Sequence, residues 1–235
     1  MASARATGPG QQPPLSEDAA QIAEHKRAAG IAAAELVRNG MRVGLGTGST
    51  VAYLLEALGE RELRDVRCTA TSPATEQAAR ALGLTVSGLD ELGELDIAID
   101  GADQVDPRGW LVKGGGAAHT REKIVAAAAR RFVVIVSAEK LVAEISAPVP
   151  LELVPFAVHT TLAALGEARL RGVPRSPDGG LIADYFGPVE DPRALAARLS
   201  ATPGVVEHGL FAPEMVSEIL IAGAGGVERR SGAKR

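Results

Sequence analysis

The stretch Met41-Arg42-Val43-Gly44-Leu45-Gly46-Thr47-Gly48-Ser49-Thr50-Val51-Ala52-Tyr53-Leu54-Leu55-Glu56-Ala57-Leu58-Gly59 decides how this chain is read. Met41 to Gly46 is a short apolar run that reads as a buried strand. Gly46 to Ser49 reads as a tight loop, and Thr50 to Leu58 as a helix that stops at Gly59. A strand passing through a glycine-rich turn into a helix is the unit from which helix-covered parallel sheets are built.

Working outward, the alternation repeats. Upstream, Ile22, Ala29, Ala33, Leu36 and Val37 recur at helical spacing between Ser16, placed as an N-cap, and an Asn39-Gly40 stop. Downstream, Val66 to Thr71 is a strand and Pro73 to Leu82 a helix closed by Gly83; Leu84 to Ser87 and Leu95 to Ile99 are strands. Leu111-Val112 is extended, Thr120 to Arg131 an Ala-rich helix, and Phe132 to Val136 a strongly β-prone strand. The expected fold class is α/β, with a Rossmann-like parallel-sheet larger domain built from residues 16–148 and 214–235. Past Pro148-Val149-Pro150 the grain changes. Strands at Leu151 to Phe156, Leu181 to Tyr185 and Val205 to Leu210 alternate with helices at Thr161 to Leu170 and Pro192 to Leu199, with a turn at Asp178-Gly179-Gly180. This order predicts a smaller α+β (ferredoxin-like) domain over 149–213, with the chain from Pro213 onward returning to the larger one. Residues 1–15, rich in Gly, Pro, Gln and Ala, read as a disordered tail without the apolar core of a secretory signal.

The 235 residues are 46% apolar, enough for a core of this size. With 25 Lys+Arg against 29 Asp+Glu the net charge is −4, so no positive field is available to hold a nucleic acid, and 3% aromatics leave no stacking platform for single strands. Cys68 is the lone cysteine, which excludes an intramolecular disulfide and a thiolate zinc site and fits a reducing compartment. The longest apolar runs fall far short of a membrane span. The expected setting is cytoplasmic, with a small-molecule partner, no nucleic acid and no membrane.

Three loops each follow an expected strand, and in an open α/β sheet loops at the carboxyl ends of strands face one crevice. In the first, glycines let the backbone approach an anion, and Thr47, Gly48, Ser49 and Thr50 lead into the amide-rich start of a helix, a natural phosphate seat. It is neither a Walker A loop nor a dinucleotide fingerprint, because no Gly-Lys-Ser/Thr follows and Ser49 holds the final glycine place; an ordinary βα turn is the plain alternative. In the second, Asp100, Gly101, Ala102 and Asp103 run on to Asp106, and carboxylates there bind sugar hydroxyls or move protons, unless they serve only as turn residues. Their spacing fits no calcium loop, so no metal is expected. In the third, Lys113 precedes Gly114, Gly115 and Gly116, three entropically expensive glycines that make sense where backbone lies against a substrate or, alternatively, at a hinge. Glu122 follows at the opening of a helix, where a lone Glu is ordinarily just a first-turn residue.

Together these blocks, with Leu153 to Ala157 and Pro203 to Phe211, resemble ribose-5-phosphate isomerase, type A, over about residues 19 to 227. The resemblance implies an aldose-ketose isomerase that interconverts ribose 5-phosphate and ribulose 5-phosphate through an enediolate, with no cofactor, as a homodimer or homotetramer. It implies that Glu122 is the base, that Lys113 stabilises oxyanion charge, and that Asp100 and Asp103 handle ring opening and hydroxyl protons. It also implies that Thr47 to Thr50, Gly101, Ala102, Gly114 to Gly116 and Lys140 bind the sugar phosphate. The sequence departs from the family at Gln104, where Glu is common, at Ser137, where Asp is usual, and at His119, where an apolar residue is usual; a solvated or satisfied histidine is the expectation there. The alternatives are a sugar-phosphate-sensing domain without turnover, for which no DNA-binding helix precedes Gly44, and an amino-sugar phosphate deaminase, whose signature blocks are not seen.

Overall fold

The computed structural model describes residues 17–234, so the expected tail and the Ser16 cap lie outside the described residues. The chain runs α1 (Glu17–Ala34), β1 (Arg42–Leu45), α2 (Ser49–Gly59), β2 (Arg67–Ala70), α3 (Pro73–Ala81), β3 (Thr85–Val86), α4 (Leu89–Leu92) and β4 (Leu95–Asp100). It continues through β5 (Gln104–Val105), β6 (Leu111–Val112), α5 (His119–Ala128) and β7 (Ala129–Ser137). Then come β8 (Val149–Leu153), α6 (Val158–Leu165), β9 (Ala168–Leu170), β10 (Leu181–Tyr185), α7 (Pro192–Ser200), β11 (Val205–His208), β12 (Leu210–Phe211), β13 (Glu218–Gly223) and β14 (Gly226–Ser231).

Seven strands form the main sheet in the order β14-β13-β7-β4-β1-β2-β3, all parallel except the β13–β14 hairpin at one edge. Its central strands are buried on both faces, which is why Phe132 to Val136 is apolar without interruption. Alternate residues part to opposite sides: Val133 and Ile135 pack with α1 and α2, whereas Phe132, Val134 and Val136 pack with α5 and Phe211. The chain builds from β1 towards β3 on one side and from β4 towards β13 on the other. The loops after β1 and β4 therefore leave the sheet in opposite directions and open a crevice at the switch point.

The second sheet, β11-β8-β10-β9, is antiparallel and arises from a β-α-β-β-α-β run, the ferredoxin-like order. A small third sheet, β12-β6-β5, carries Lys113 on its rim.

Three expected boundaries move. The helix expected over Thr120 to Arg131 stops at Ala128, because Ala129 and Arg131 register against Leu95 and Ile97 of β4; pairing overrides the Ala-rich propensity. The helix expected over Thr161 to Leu170 stops at Leu165, since Gly166 takes φ +77° and Ala168–Leu170 pairs with β10 as a further strand. The strand expected over Leu151 to Phe156 ends at Leu153, and Phe156 stands exposed in the following loop.

Candidate active site

Beneath the crevice lies Asp100, the last residue of β4. Its Oδ1 accepts hydrogen bonds from the backbone N–H of Thr47 at 3.1 Å and of Gly101 at 2.7 Å, which ties the loop after β1 to the loop after β4. A side chain at Gly46 would overlap this carboxylate, so the glycine there is a condition of the close approach. Lys113, directly after β6, reaches Asp100 Oδ2 at 2.8 Å and Glu122 Oε2 at 3.1 Å, and donates to the Gly101 carbonyl at 2.6 Å. Its ammonium also lies 5.5 Å from the Phe211 ring centre. Its backbone N–H donates to Gly209 O at 2.8 Å, an approach that a Cβ on Gly209 would block.

All three charged side chains are 3–4% exposed, so their electrostatics are strong. Burial, and then the charge of Asp100, push the Glu122 carboxyl up to about 8 against the pull of Lys113. Burial likewise raises Asp100, opposed by Lys113 and the two backbone N–H groups. Burial alone would lower the Lys113 ammonium, but Asp100 and Glu122 outweigh it and hold it above its ordinary value. Among the described residues, Asp100 Oδ2 and Glu122 Oε2 have the Lys113 ammonium as their near polar partner, at 2.8 and 3.1 Å. Glu122 owes its place to α5. Thr120 of that helix donates to the buried Glu152, Arg121 pairs with Asp178 at 2.7 Å, and Lys234 caps its far end on Ala129 O at 2.6 Å.

Above this group lies a cavity of about 160 Å³ lined by Thr47 to Thr50, Gly101 to Asp103, Lys113 to Gly116, Glu122, Lys140 and Lys26. The three loops thus converge as the fold class requires. Asp103 holds the Gly115 N–H at 2.8 Å through Oδ2. The first turn of α2, which carries no acidic side chain, opens towards the cavity. Lys26 was not anticipated: it comes from α1, in a helix with no glycine-rich signal to mark it, and only the packing of α1 beside the switch point brings it in. A larger groove of about 1060 Å³ runs past Arg121, Ile124 and Val154, but the ion-paired Lys113 group does not border it.

Several expected residues stand elsewhere. Asp100 lies behind Lys113 rather than in the cavity lining. Asp106 is a turn residue, accepting from Trp110 N at 2.9 Å and Arg108 Nε at 3.0 Å. Gln104 turns away from the cavity and clasps Ser146, donating to its carbonyl at 3.0 Å and accepting from its N–H at 2.9 Å. Ser137 is buried and donates to Glu139 at 2.6 Å, next to the short helical turn that ends at Lys140. His119 is fully buried rather than solvated, and burial chiefly holds it at about 4, hence neutral, against a hydrogen bond with the Glu207 backbone that works the other way.

A family model described as ribose 5-phosphate isomerase A (phosphoriboisomerase A) matches residues 67–226. The ribose-5-phosphate isomerase A of Methanosarcina acetivorans is 47% identical over 216 residues, covering 86% of this chain and 91% of that protein. That of Halobacterium salinarum is 52% identical over 201 residues, covering 80% and 88%. Among solved structures, ribose 5-phosphate isomerase A from Methanocaldococcus jannaschii superposes with a TM-score of 0.83 at 36% identity, covering 88% of this chain and 98% of that one. A D-ribose-5-phosphate isomerase in complex with phospho-erythronic acid superposes at 0.85 and 34% identity, covering 89% and 99%.

Proposed function

The chain belongs to the ribose 5-phosphate isomerase A family and interconverts ribose 5-phosphate and ribulose 5-phosphate, and from that premise we propose that Glu122 moves the proton while Lys113 holds the charge. In the open-chain aldose, Glu122 takes the hydrogen from C2, and the electron pair passes through the C1–C2 bond to the aldehyde oxygen. The enediolate so formed lies beside the Lys113 ammonium, a cation already in place and already stripped of water. Glu122 then returns the proton to C1 while the C2 hydroxyl proton passes to the C1 oxygen, a relay we assign to Asp103, whose carboxylate borders the cavity. Asp100 acts through Lys113 and through the Thr47 N–H, fixing both.

The phosphate sits where Lys26 and Lys140, the Ser49 and Thr50 hydroxyls and the start of α2 border the cavity. Three ammonium groups against the two carboxylates of the cavity lining suit a dianionic ester. That a relative was solved in complex with phospho-erythronic acid supports binding of a phosphorylated sugar-like ligand by this family. We take the cytoplasm as its location, the pentose phosphate route as its context, and a homodimer or dimer of dimers as its assembly. Among the described residues no helix is long and apolar enough to cross a membrane.

The observation that carries the assignment of roles is the buried ammonium within 3.1 Å of the Glu122 carboxylate at the switch-point crevice. The experiment is turnover in deuterated water: the parent incorporates deuterium at C1 of the ketose, and Glu122→Gln does neither exchange nor isomerisation at a comparable rate. Equal label in both removes Glu122 from the mechanism.

A further inference from the structure

The glycine loop on one wall of the cavity is gripped from a different sheet. Arg171 follows β9, and its Nη1 donates to the carbonyl oxygens of Gly114 at 2.9 Å and Gly115 at 3.2 Å. The peptide joining these glycines points its other edge into the site, where Gly115 N–H donates to Asp103 Oδ2 at 2.8 Å. In a trans peptide the C=O and N–H point in opposite directions, so a guanidinium that fixes the first also aims the second. The rest of the guanidinium is locked on β10: Nε donates to Asp184 Oδ2 at 2.9 Å and Nη2 donates to Oδ1. That bidentate grip leaves the side chain little freedom. Gly114 sits at φ +106°, and glycines of this kind have wide conformational freedom unless something outside holds them.

We propose that Arg171 is a positioning residue for the isomerisation, setting the Gly114–Gly115 peptide and through it the Asp103 carboxylate. Arg171 does not line the cavity and touches no reacting atom. The inference rests on the reading that Asp103 and the glycine loop meet the substrate. It makes the four-stranded sheet part of the catalytic apparatus, because the arginine directly follows β9 and its Asp184 anchor lies on β10 of that sheet. A lysine here would keep the charge but not the fork, which serves two carbonyls on one side and a carboxylate on the other.

The test uses the full chain with Arg171→Lys, Arg171→Ala, Asp103→Asn and the Arg171→Lys/Asp103→Asn double variant, measuring far-UV circular dichroism together with kcat and KM for ribose 5-phosphate. Arg171→Lys should keep the parent spectrum and lose about 10- to 100-fold in kcat/KM, the range that small misplacements of a loop produce. Its loss and that of Asp103→Asn should not multiply, because one residue acts through the other. A kcat/KM within about twofold of the parent, or losses that simply multiply, overturns the proposal. Should Arg171→Ala fail to fold, Arg171→Lys decides; loss of the folded spectrum in Arg171→Lys as well makes the arginine a folding determinant and overturns the proposal. A loss in Asp103→Asn with none in Arg171→Lys sinks Arg171 alone. No loss in Asp103→Asn removes Asp103 from the site, and the route through it falls with that reading.

Discussion

Replacing Glu122 with Gln keeps the shape of the side chain and removes its capacity to hold charge or accept a proton. In the folded chain this carboxyl is held at about 8 against an ordinary 4.5, mainly by burial. A shift of that order disfavours the ionised form in the folded state by roughly 3–5 kcal/mol. Below the ordinary value the group is protonated in folded and unfolded chains alike. Between 4.5 and about 8 the folded chain keeps a proton that the unfolded chain has released, so this group's contribution to stability falls as pH rises and levels off above about 8. Gln does not titrate. The variant should therefore gain stability relative to the parent as pH rises across that window, by up to those few kcal/mol, while turnover falls about 10²–10⁴-fold. Urea unfolding of both proteins at about pH 5, 7 and 9 reads the first effect and kcat for ribose 5-phosphate the second. A stability difference that ignores pH, or a turnover within about tenfold of the parent, refutes the account of Glu122 as a buried base.

For the parent, kcat/KM should climb with pH and flatten above about 8, since only the ionised Glu122 accepts a proton; a flat profile between about pH 6 and 9 contradicts this. Lys113→Ala should raise KM and lower kcat together and, by leaving two buried carboxylates facing each other, destabilise the fold by about 3–5 kcal/mol in thermal or urea unfolding. Unchanged kinetics would make the lysine purely structural. Lys26→Ala should raise KM by about tenfold with kcat held, because the phosphate does not change during the reaction; an equal fall in kcat would place Lys26 in the chemistry. Gly46→Ala drives a methyl group into the Asp100 carboxylate, and calorimetry should show a loss of about 1–3 kcal/mol or more together with reduced kcat/KM.

Much of this site could be read in order along the chain. The turn after β1, the carboxylate closing β4, and the lysine before three glycines each follow an apolar strand, and the doubly wound sheet allows such loops one common meeting place. The strand pattern was legible for the same reason: burial on both faces of β7 forces an unbroken apolar run, and amphipathic helices repeat every three or four residues. Where the boundaries slipped, at Ala129–Arg131 and Ala168–Leu170, a short segment with helical composition was claimed by a neighbouring strand. Local propensity is worth tenths of a kcal/mol per residue and yields to a ladder of hydrogen bonds.

Periodicity and turn chemistry act over a few residues, so the sequence alone determined the layers, the loops and the types of side chain presented. Which charges meet was decided by the tertiary structure. Lys26 enters from α1, Asp100 turns to hold Thr47 and Lys113 instead of facing the cavity, Gln104 leaves it for Ser146, and Arg171 reaches Gly114 from another sheet. Contacts between residues so far apart in the chain leave no repeating trace in composition or spacing, and they come into being when packing brings their backbones to hydrogen-bonding distance in a region closed to water.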